Sequence, residues 1–191
     1  MSELTLERPP AGEFRTVVAD PPWTPIMSII NAHAPKGSPQ RHYETLSIEE
    51  IIGLCPNTAP QSHLYLWCVA QHVDWGYQVA REWGFEPIIL WTWIKPGLGV
   101  GRFRCNTEHV LVARKGSRHG SPFGKGGRYA QATAGTWFDW PRREHSRKPD
   151  DFFALVERLS PAPRLEMFAR GPRKGWSVWG KEALAAEEER T

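Results

Sequence analysis

The sequence predicts an α/β fold with a doubly wound sheet, on the basis of three observations. A short apolar run rich in β-branched residues, 14–19, stops abruptly at Asp20-Pro21-Pro22 and is typical of a buried strand. After it, strand patterns alternate with helix patterns, which is the element order of a doubly wound sheet. The length of 191 residues suits a single domain, 1–191, with a sizeable core.

The composition is that of an ordinary globular protein, with 40% hydrophobic and 24% charged residues. The sequence has no apolar run of about 18 residues and no apolar signal core, so we expect a cytoplasmic protein that does not bind membranes. The cysteines, Cys55, Cys68 and Cys105, are widely spaced, so we expect reduced, partly buried thiols and no metal site. The net charge is only +3, so the distribution of charge says more than its sum.

The first half of the chain predicts two strands, a long loop and a short helix. Residues 1–13 contain a Pro-Pro-Ala-Gly break and are expected to form a loose arm. Residues 24–46 contain several prolines and no helical period, which is typical of a long functional loop. Ser47-Ile48-Glu49-Glu50 is a capping box that begins a short helix, and residues 63–69 predict the second strand.

The second half continues the alternation. Its pattern predicts a helix over 71–83, a strand over 86–95, a strand over 106–113, a helix that begins at Pro149 and ends before Ser160, and strands over 164–169 and 176–179. Between them, residues 114–147 are expected to form a loop. No acidic residue lies between Glu108 and Asp139, while several cations do. This run is either a solvated flexible loop or a segment that contacts phosphates.

The turn Asp20-Pro21-Pro22-Trp23 has residue types that suit one chemistry. An exocyclic amino group on a nucleobase is a poor nucleophile because its lone pair is delocalised into the ring. The Asp20 carboxylate and the Pro21 main-chain carbonyl could hold the two N–H bonds and turn this lone pair outward; neither proline has a competing N–H. Trp23 could stack on the base. The alternative is an ordinary strand end with a tryptophan in the core.

This turn resembles the catalytic motif of the adenine-N6 methyltransferases, a family that includes the catalytic subunit of the eukaryotic mRNA adenosine methyltransferase. Further stretches are also similar to that family: Trp93-Ile94-Lys95 with 106–109, Glu144-His145-Ser146-Arg147-Lys148-Pro149-Asp150, the run 164–170, and the run 175–182. The resemblance covers about residues 14 to 182. Two departures are that Lys181 replaces a usual Asn and that few residues precede the motif.

The resemblance implies a Rossmann-like methyltransferase fold, with a mixed, mostly parallel sheet, helices on both faces, and a permuted order in which the catalytic strand comes first. It implies S-adenosyl-L-methionine (SAM) as cofactor. The catalytic residues would be Asp20, Pro21, Pro22 and Trp23. The residues that contact the cofactor would be Asp20, Lys148, Phe168, Ala169, Arg170, Gly180, Lys181 and Glu182.

The same resemblance, together with the basic run, predicts methyl transfer to N6 of adenine in nucleic acid. We expect DNA rather than RNA, although the residues themselves do not separate the two. The predicted nucleic-acid contacts are Tyr43, Lys95, Arg114, Lys115, Lys125, Arg128, Arg142, Arg143 and His145. The alternatives are an inactive partner subunit that binds nucleic acid, and a related enzyme that methylates another amino group. A homodimer or a heteromeric partner is also compatible with the sequence.

Overall fold

A seven-stranded sheet organises the part of the chain that the computed structural model describes, residues 8–24, 45–97, 104–116, 135–142 and 147–180. Its strands are β1 (Phe14–Ala19), β2 (Thr58–Val69), β3 (Glu86–Ile94), β4 (Thr107–Lys115), β5 (Trp137–Phe138), β6 (Arg164–Met167) and β7 (Ser177–Trp179). The helices are α1 (Ile48–Gly53), α2 (Val73–Glu82), which a 3₁₀ turn Ala70–His72 precedes, and α3 (Asp150–Leu159). No helix in these ranges is long and apolar enough to cross a membrane.

The strand order β5-β3-β4-β2-β1-β6-β7 confirms the predicted mixed, mostly parallel sheet. β1 pairs in parallel with β2 and β6, and β6–β7 and β3–β5 are also parallel pairs. Only β4 is antiparallel to its neighbours, β2 and β3. The carboxyl ends of the other strands therefore meet at one side of the sheet, called here the carboxyl edge, and β4 begins there because Glu108 pairs with Val69.

Helices cover both faces of the sheet, as predicted. The alternation along β1 places Val17 and Ala19 in one apolar cluster with α1 and α2, while Val18 lies in a second cluster with α3. The two apolar clusters, one on each face of the sheet, bury β1 almost completely, which explains its continuous apolar run.

The helix signals in the sequence are confirmed at α1 and α3. Ser47 caps α1: its hydroxyl accepts from the Glu50 N–H, and the Glu50 carboxylate accepts from the Ser47 N–H. α3 begins directly after Pro149 and buries the apolar stripe that the sequence shows at helical spacing, Phe152, Leu155, Val156 and Leu159.

Some boundaries differ from the predictions. β2 begins at Thr58 rather than at residue 63, and β4 reaches Lys115, so the predicted loop 114–147 starts inside a strand and also contains β5. All three cysteines are free, but only Cys68 is buried, whereas Cys55 and Cys105 are exposed. The expectation of partly buried thiols is therefore wrong for these two.

Candidate active site

The turn that follows β1 lies at a switch point of the sheet. The helices that follow β1 pack against one face, whereas α3, which precedes β6, packs against the other face. β1 sits between β2 and β6, and the carboxyl edge at such a switch point is where open α/β sheets bind ligands. Pro21 and Pro22 end the strand because neither can donate to a neighbouring strand. The turn is nevertheless anchored, since the Asp20 N–H points to the Met167 carbonyl at 3.5 Å and the Leu46 N–H donates to the Pro22 carbonyl at 2.9 Å.

The Pro21 carbonyl is less free than the sequence suggested. The Trp23 N–H donates to it at 2.9 Å, so one of its two lone pairs is already used. One acceptor position remains on this oxygen. The sequence predicted acceptors with few competing donors, and the Trp23 N–H is one such donor.

Trp23 is a core residue rather than an open stacking face. Its side chain is 8% exposed, its indole N–H donates to the Trp67 carbonyl at 2.9 Å, and its ring stacks against His72 at a centroid distance of 6.0 Å. Trp75 adds an edge contact. This correction follows from packing: the sheet and α2 cover the ring faces that a base would need.

Four alternating charges run along the carboxyl edge on the α3 side of the sheet. Lys148 Nζ lies 3.0 Å from Asp20 Oδ1 and 2.8 Å from Glu108 Oε2, while Lys95 Nζ lies 2.9 Å from Glu108 Oε1. Lys148 Nζ also lies 4.7 Å from the centre of the Trp67 ring. We call Lys95, Glu108, Lys148 and Asp20 the charge row.

Burial and neighbours set the pKa values in the charge row. Burial raises the pKa of Asp20, and Glu108 adds to this, although the Lys148 ammonium opposes it. Burial also acts against ionisation of Glu108 and Lys148. Even so, Lys148 and Lys95 hold the pKa of Glu108 below its usual value, and Asp20 and Glu108 raise the pKa of Lys148. Lys148 and Glu108 are therefore charged at neutral pH.

An open cleft with about 530 Å³ of empty space adjoins Asp20. It lies between the ends of β1 and β6, the α3 side of β2, and the turn that follows β6. Its lining includes carboxylates, cations and aromatic rings: Val18, Asp20, Trp67, Arg147, Lys148, Phe153, Glu166, Met167, Phe168, Arg170, Gly171, Pro172 and Arg173. Such a mixture suits a ligand with both polar and flat apolar parts.

The segment after β6 forms one wall of this cleft and is crossed closely by the chain after β7. Phe168 has φ 60°, a left-handed conformation that is uncommon for a residue other than glycine. The Ala169 N–H donates to the Trp179 carbonyl at 2.9 Å. A Cβ on Gly180 would lie 2.5 Å from the Ala169 carbonyl oxygen, so only glycine allows the two segments to approach this closely.

The structure brings together the described residues of the predicted cofactor site. Asp20, Lys148, Phe168 and Arg170 line the cleft, and Ala169, between two of these residues, is in close contact with Gly180. Seven predicted site residues lie outside the described residues: Tyr43, Lys125, Arg128, Arg143, His145, Lys181 and Glu182. Within the described ranges, no group of three or more His, Cys, Asp or Glu is placed to hold a metal ion.

The predicted nucleic-acid residues are split between the two ends of the sheet. Lys95 lies at the carboxyl edge, and the exposed Arg142 follows β5 there. Arg114 and Lys115 are at the far end of β4, about 20 Å along the strand from Glu108. Arg114 is buried and ion-paired with Glu86 at 2.6 Å, and Lys115 Nζ donates to Thr58 Oγ1. The prediction that these two residues lie on the active-site loop is therefore corrected.

Sequence reasoning missed four charged residues at the site, one of which is Arg147 in the cleft lining. Glu108 joins the two lysines, and Glu166 is paired with Arg173 at 2.7 Å on the cleft wall, where the guanidinium also lies over Phe153. Glu108 and Glu166 interrupt strand patterns close to the carboxyl edge and lie in the runs 106–109 and 164–170 that resemble the family, but neither signal indicated what their side chains contact.

Comparison with known proteins agrees with this geometry. The family model described as MT-A70 matches residues 14–182. The chain belongs to the MT-A70 family. The resemblance drawn from the sequence is thereby confirmed, and the mixed α/β sheet agrees with it.

Relatives of this MT-A70 chain include human "N(6)-adenosine-methyltransferase catalytic subunit METTL3", with 30% identity over 184 residues, 90% of this chain and 28% of that protein. Another is "N6-methyladenosine RNA methyltransferase MTA1" of Cryphonectria parasitica, with 29% identity over 198 residues, 93% of this chain and 54% of that protein. The chain thus spans about a quarter to a half of these relatives' length.

Proposed function

We propose that this MT-A70 chain transfers a methyl group from SAM to the N6 amino group of adenine in nucleic acid. The observation that supports this most strongly is the position of Asp20. Its partly exposed carboxylate stands at the carboxyl end of a central strand, next to an acceptor on Pro21 and beside the cleft. The names of the relatives, which describe N6-adenosine methyltransferases, point to the same reaction.

The cleft fits the proposed cofactor by its chemistry. SAM carries an ammonium, a carboxylate, ribose hydroxyls and an adenine ring, so its site needs acceptors, cations and an apolar face. Asp20 and Arg170 offer opposite charges and Phe168 offers a partly exposed ring, all within one cleft. When bound, SAM supplies an electrophilic methyl group on a sulfonium.

The residues of the chain act by positioning. Asp20 keeps Oδ1 on Lys148, so Oδ2 remains to accept one N–H of the adenine amino group, and the second lone pair of the Pro21 carbonyl can accept the other. Held in this way, the amine directs its lone pair at the methyl group. Lys148 restrains the carboxylate, and its ammonium opposes the rise in the pKa of Asp20 that burial causes.

The polymer remains the open part of the proposal. The names of the relatives refer to adenosine and to RNA, so the expectation of DNA gains no support from them. An adenine in a duplex would first have to leave the stack, which favours single-stranded or locally open substrates.

The test is methyl transfer from SAM with an isotope-labelled methyl group to matched DNA and RNA oligonucleotide pools, with pools that lack adenine as controls. Product nucleosides are identified by mass spectrometry. Labelled N6-methyladenine in either pool supports the proposal and identifies the polymer. Label on another base contradicts the adenine assignment, and nucleic-acid binding without any transfer favours the inactive partner subunit.

A further inference from the structure

Lys95 directly follows β3, none of whose residues lines the cleft, and its side chain reaches the charge row. Two hydrogen bonds to Asn106 hold its backbone. The Lys95 N–H donates to the Asn106 carbonyl at 2.7 Å, and the Asn106 side-chain amide donates to the Lys95 carbonyl at 3.4 Å. Its Nζ donates to Glu108 at 2.9 Å, and only 20% of the side chain is exposed. The ammonium is therefore directed inward along the edge.

Glu108 is shared equally between two ammonium groups. Lys95 takes Oε1 and Lys148 takes Oε2, at 2.9 and 2.8 Å. Lys148 in turn is shared between Glu108 and Asp20. Because Lys148 has two carboxylate partners, whatever weakens its attraction to Glu108 strengthens its hold on Asp20. Lys95 does this by neutralising part of the Glu108 charge.

We propose that Lys95 is a positioning residue for methyl transfer, which acts through Glu108 to keep the Lys148 ammonium on Asp20. This inference rests on the proposed function. Without Lys95, the undivided charge of Glu108 draws Lys148 towards β4 and away from the turn after β1. Asp20 then loses the contact that fixes its orientation towards the adenine amino group.

A phosphate contact is the competing role for this lysine. To serve it, Nζ would have to leave Glu108, and this would leave a mostly buried carboxylate with one partner fewer. The two roles differ in what they change: a phosphate contact affects binding of nucleic acid, while a positioning residue affects the rate after binding.

The experiment compares Lys95→Met with wild type by kcat, by KM for the oligonucleotide and by the salt dependence of binding. We expect kcat to fall about ten- to a hundredfold, because small misplacements at a reacting centre cost that much. KM and the salt slope should not change. Lys95→Arg, which keeps the charge, should restore most of kcat. The matched control is Glu86→Gln, which removes the Arg114–Glu86 ion pair between the same two strands at the other end of the sheet and should leave kcat unchanged.

Each other outcome counts against the inference in a recognisable way. If kcat is unchanged in Lys95→Met while the wild type is active, the role of Lys95 is refuted and the proposed function is not. A raised KM and a salt slope lower by about 0.7 to 0.9 identify a phosphate contact. Loss of folding in both Lys95→Met and Lys95→Gln makes Lys95 a structural residue. Wild type without N6 transfer refutes the proposed function, and with it the role of Lys95.

Discussion

Under the proposed function, the two oxygens of the Asp20 carboxylate have different tasks. Oδ1 accepts from Lys148 at 3.0 Å, and Oδ2 would accept from the ligand. Asparagine has the same shape but offers one weaker acceptor and a donor that would face an N–H. We therefore expect Asp20→Asn to lower the single-turnover rate of methyl transfer about a hundredfold or more. S-adenosylhomocysteine binding by calorimetry and the thermal unfolding midpoint should be largely retained.

The matched control for this change is Asp74→Asn, which alters an exposed carboxylate in the first turn of α2. Its transfer rate should equal that of wild type. A near wild-type rate for Asp20→Asn would show that the aspartate only ends a strand.

The sequence could identify Asp20 because an acid followed by two prolines after a buried run marks a strand end. It could not identify Glu108 in the same way, since the position of this residue at the carboxyl edge depends on β4 running antiparallel to β2. The sequence could not show that Trp23 is buried, because the residues that cover it, His72 and Trp75, are far from it along the chain.

At the scale of elements, the segments after β6 and β7 cross beside the cleft proposed for the cofactor, and Gly180 is where the two segments touch. An alanine there would place Cβ at 2.5 Å from the Ala169 carbonyl oxygen and 2.7 Å from the Ala169 nitrogen, and backbone atoms cannot yield cheaply. We expect Gly180→Ala to lower the unfolding midpoint, because overpacking costs roughly 1 to 3 kcal/mol of stability. We also expect it to displace the segment that lines the cleft and so to weaken S-adenosylhomocysteine binding about tenfold or more. Calorimetry and thermal unfolding measure both effects.

Gly53 provides the matched control, because a Cβ there meets nothing within 4 Å and the residue ends α1, outside the cleft lining. Gly53→Ala should leave both quantities near wild type. Equal behaviour of the two variants would contradict the role of the crossing.

The elements with strong periodicity were predictable and the short ones were not. α1 has a complete capping box, and α3 has a full apolar stripe, so local signals determine both. β5 has only two residues, too few for an alternation, and exists because its backbone pairs with β3. Arg114 at the end of β4 looked like a loop residue because it is charged, but its partner Glu86 lies on the neighbouring strand.

At the scale of the whole molecule, the described residues predicted to contact nucleic acid lie at two opposite ends of the sheet, so they should contribute unequally to binding. Arg142 is exposed beyond β5 at the carboxyl edge, while Lys115 is at the other edge. We expect Arg142→Ala to reduce the slope of log K against log salt by about 0.7 to 0.9, the effect of one lost phosphate contact. Lys115→Ala should not change it. Fluorescence anisotropy with a labelled oligonucleotide measures both slopes. A larger reduction of the slope in Lys115→Ala than in Arg142→Ala would place the binding face at the end of the sheet opposite the carboxyl edge.

A buried polar cluster joins β2 to the end of α3, far from the cleft. His63 Nδ1 and the Tyr65 hydroxyl each lie 2.8 Å from the Ser160 hydroxyl, and His63 is 8% exposed. Burial, reinforced by the charges of Arg15 and Arg114, lowers the pKa of His63 to about 4. The imidazole is therefore neutral in the folded protein over a pH range in which it would be protonated in the unfolded chain.

This difference makes global stability depend on pH in a definite direction. Because the folded pKa lies below the ordinary value of 6.5, the unfolded chain binds more protons, and the contribution of His63 is complete above pH 6.5 and declines as pH falls towards about 4. A shift of this size corresponds to about 3 kcal/mol. We expect the free energy of unfolding from urea titrations to fall between pH 7 and pH 4.5 by about 2 kcal/mol more in wild type than in His63→Gln, which has no titrating group at this position. The comparison cancels the carboxylates that both proteins share, so an identical pH dependence in the two proteins would show that the buried imidazole does not couple protonation to folding.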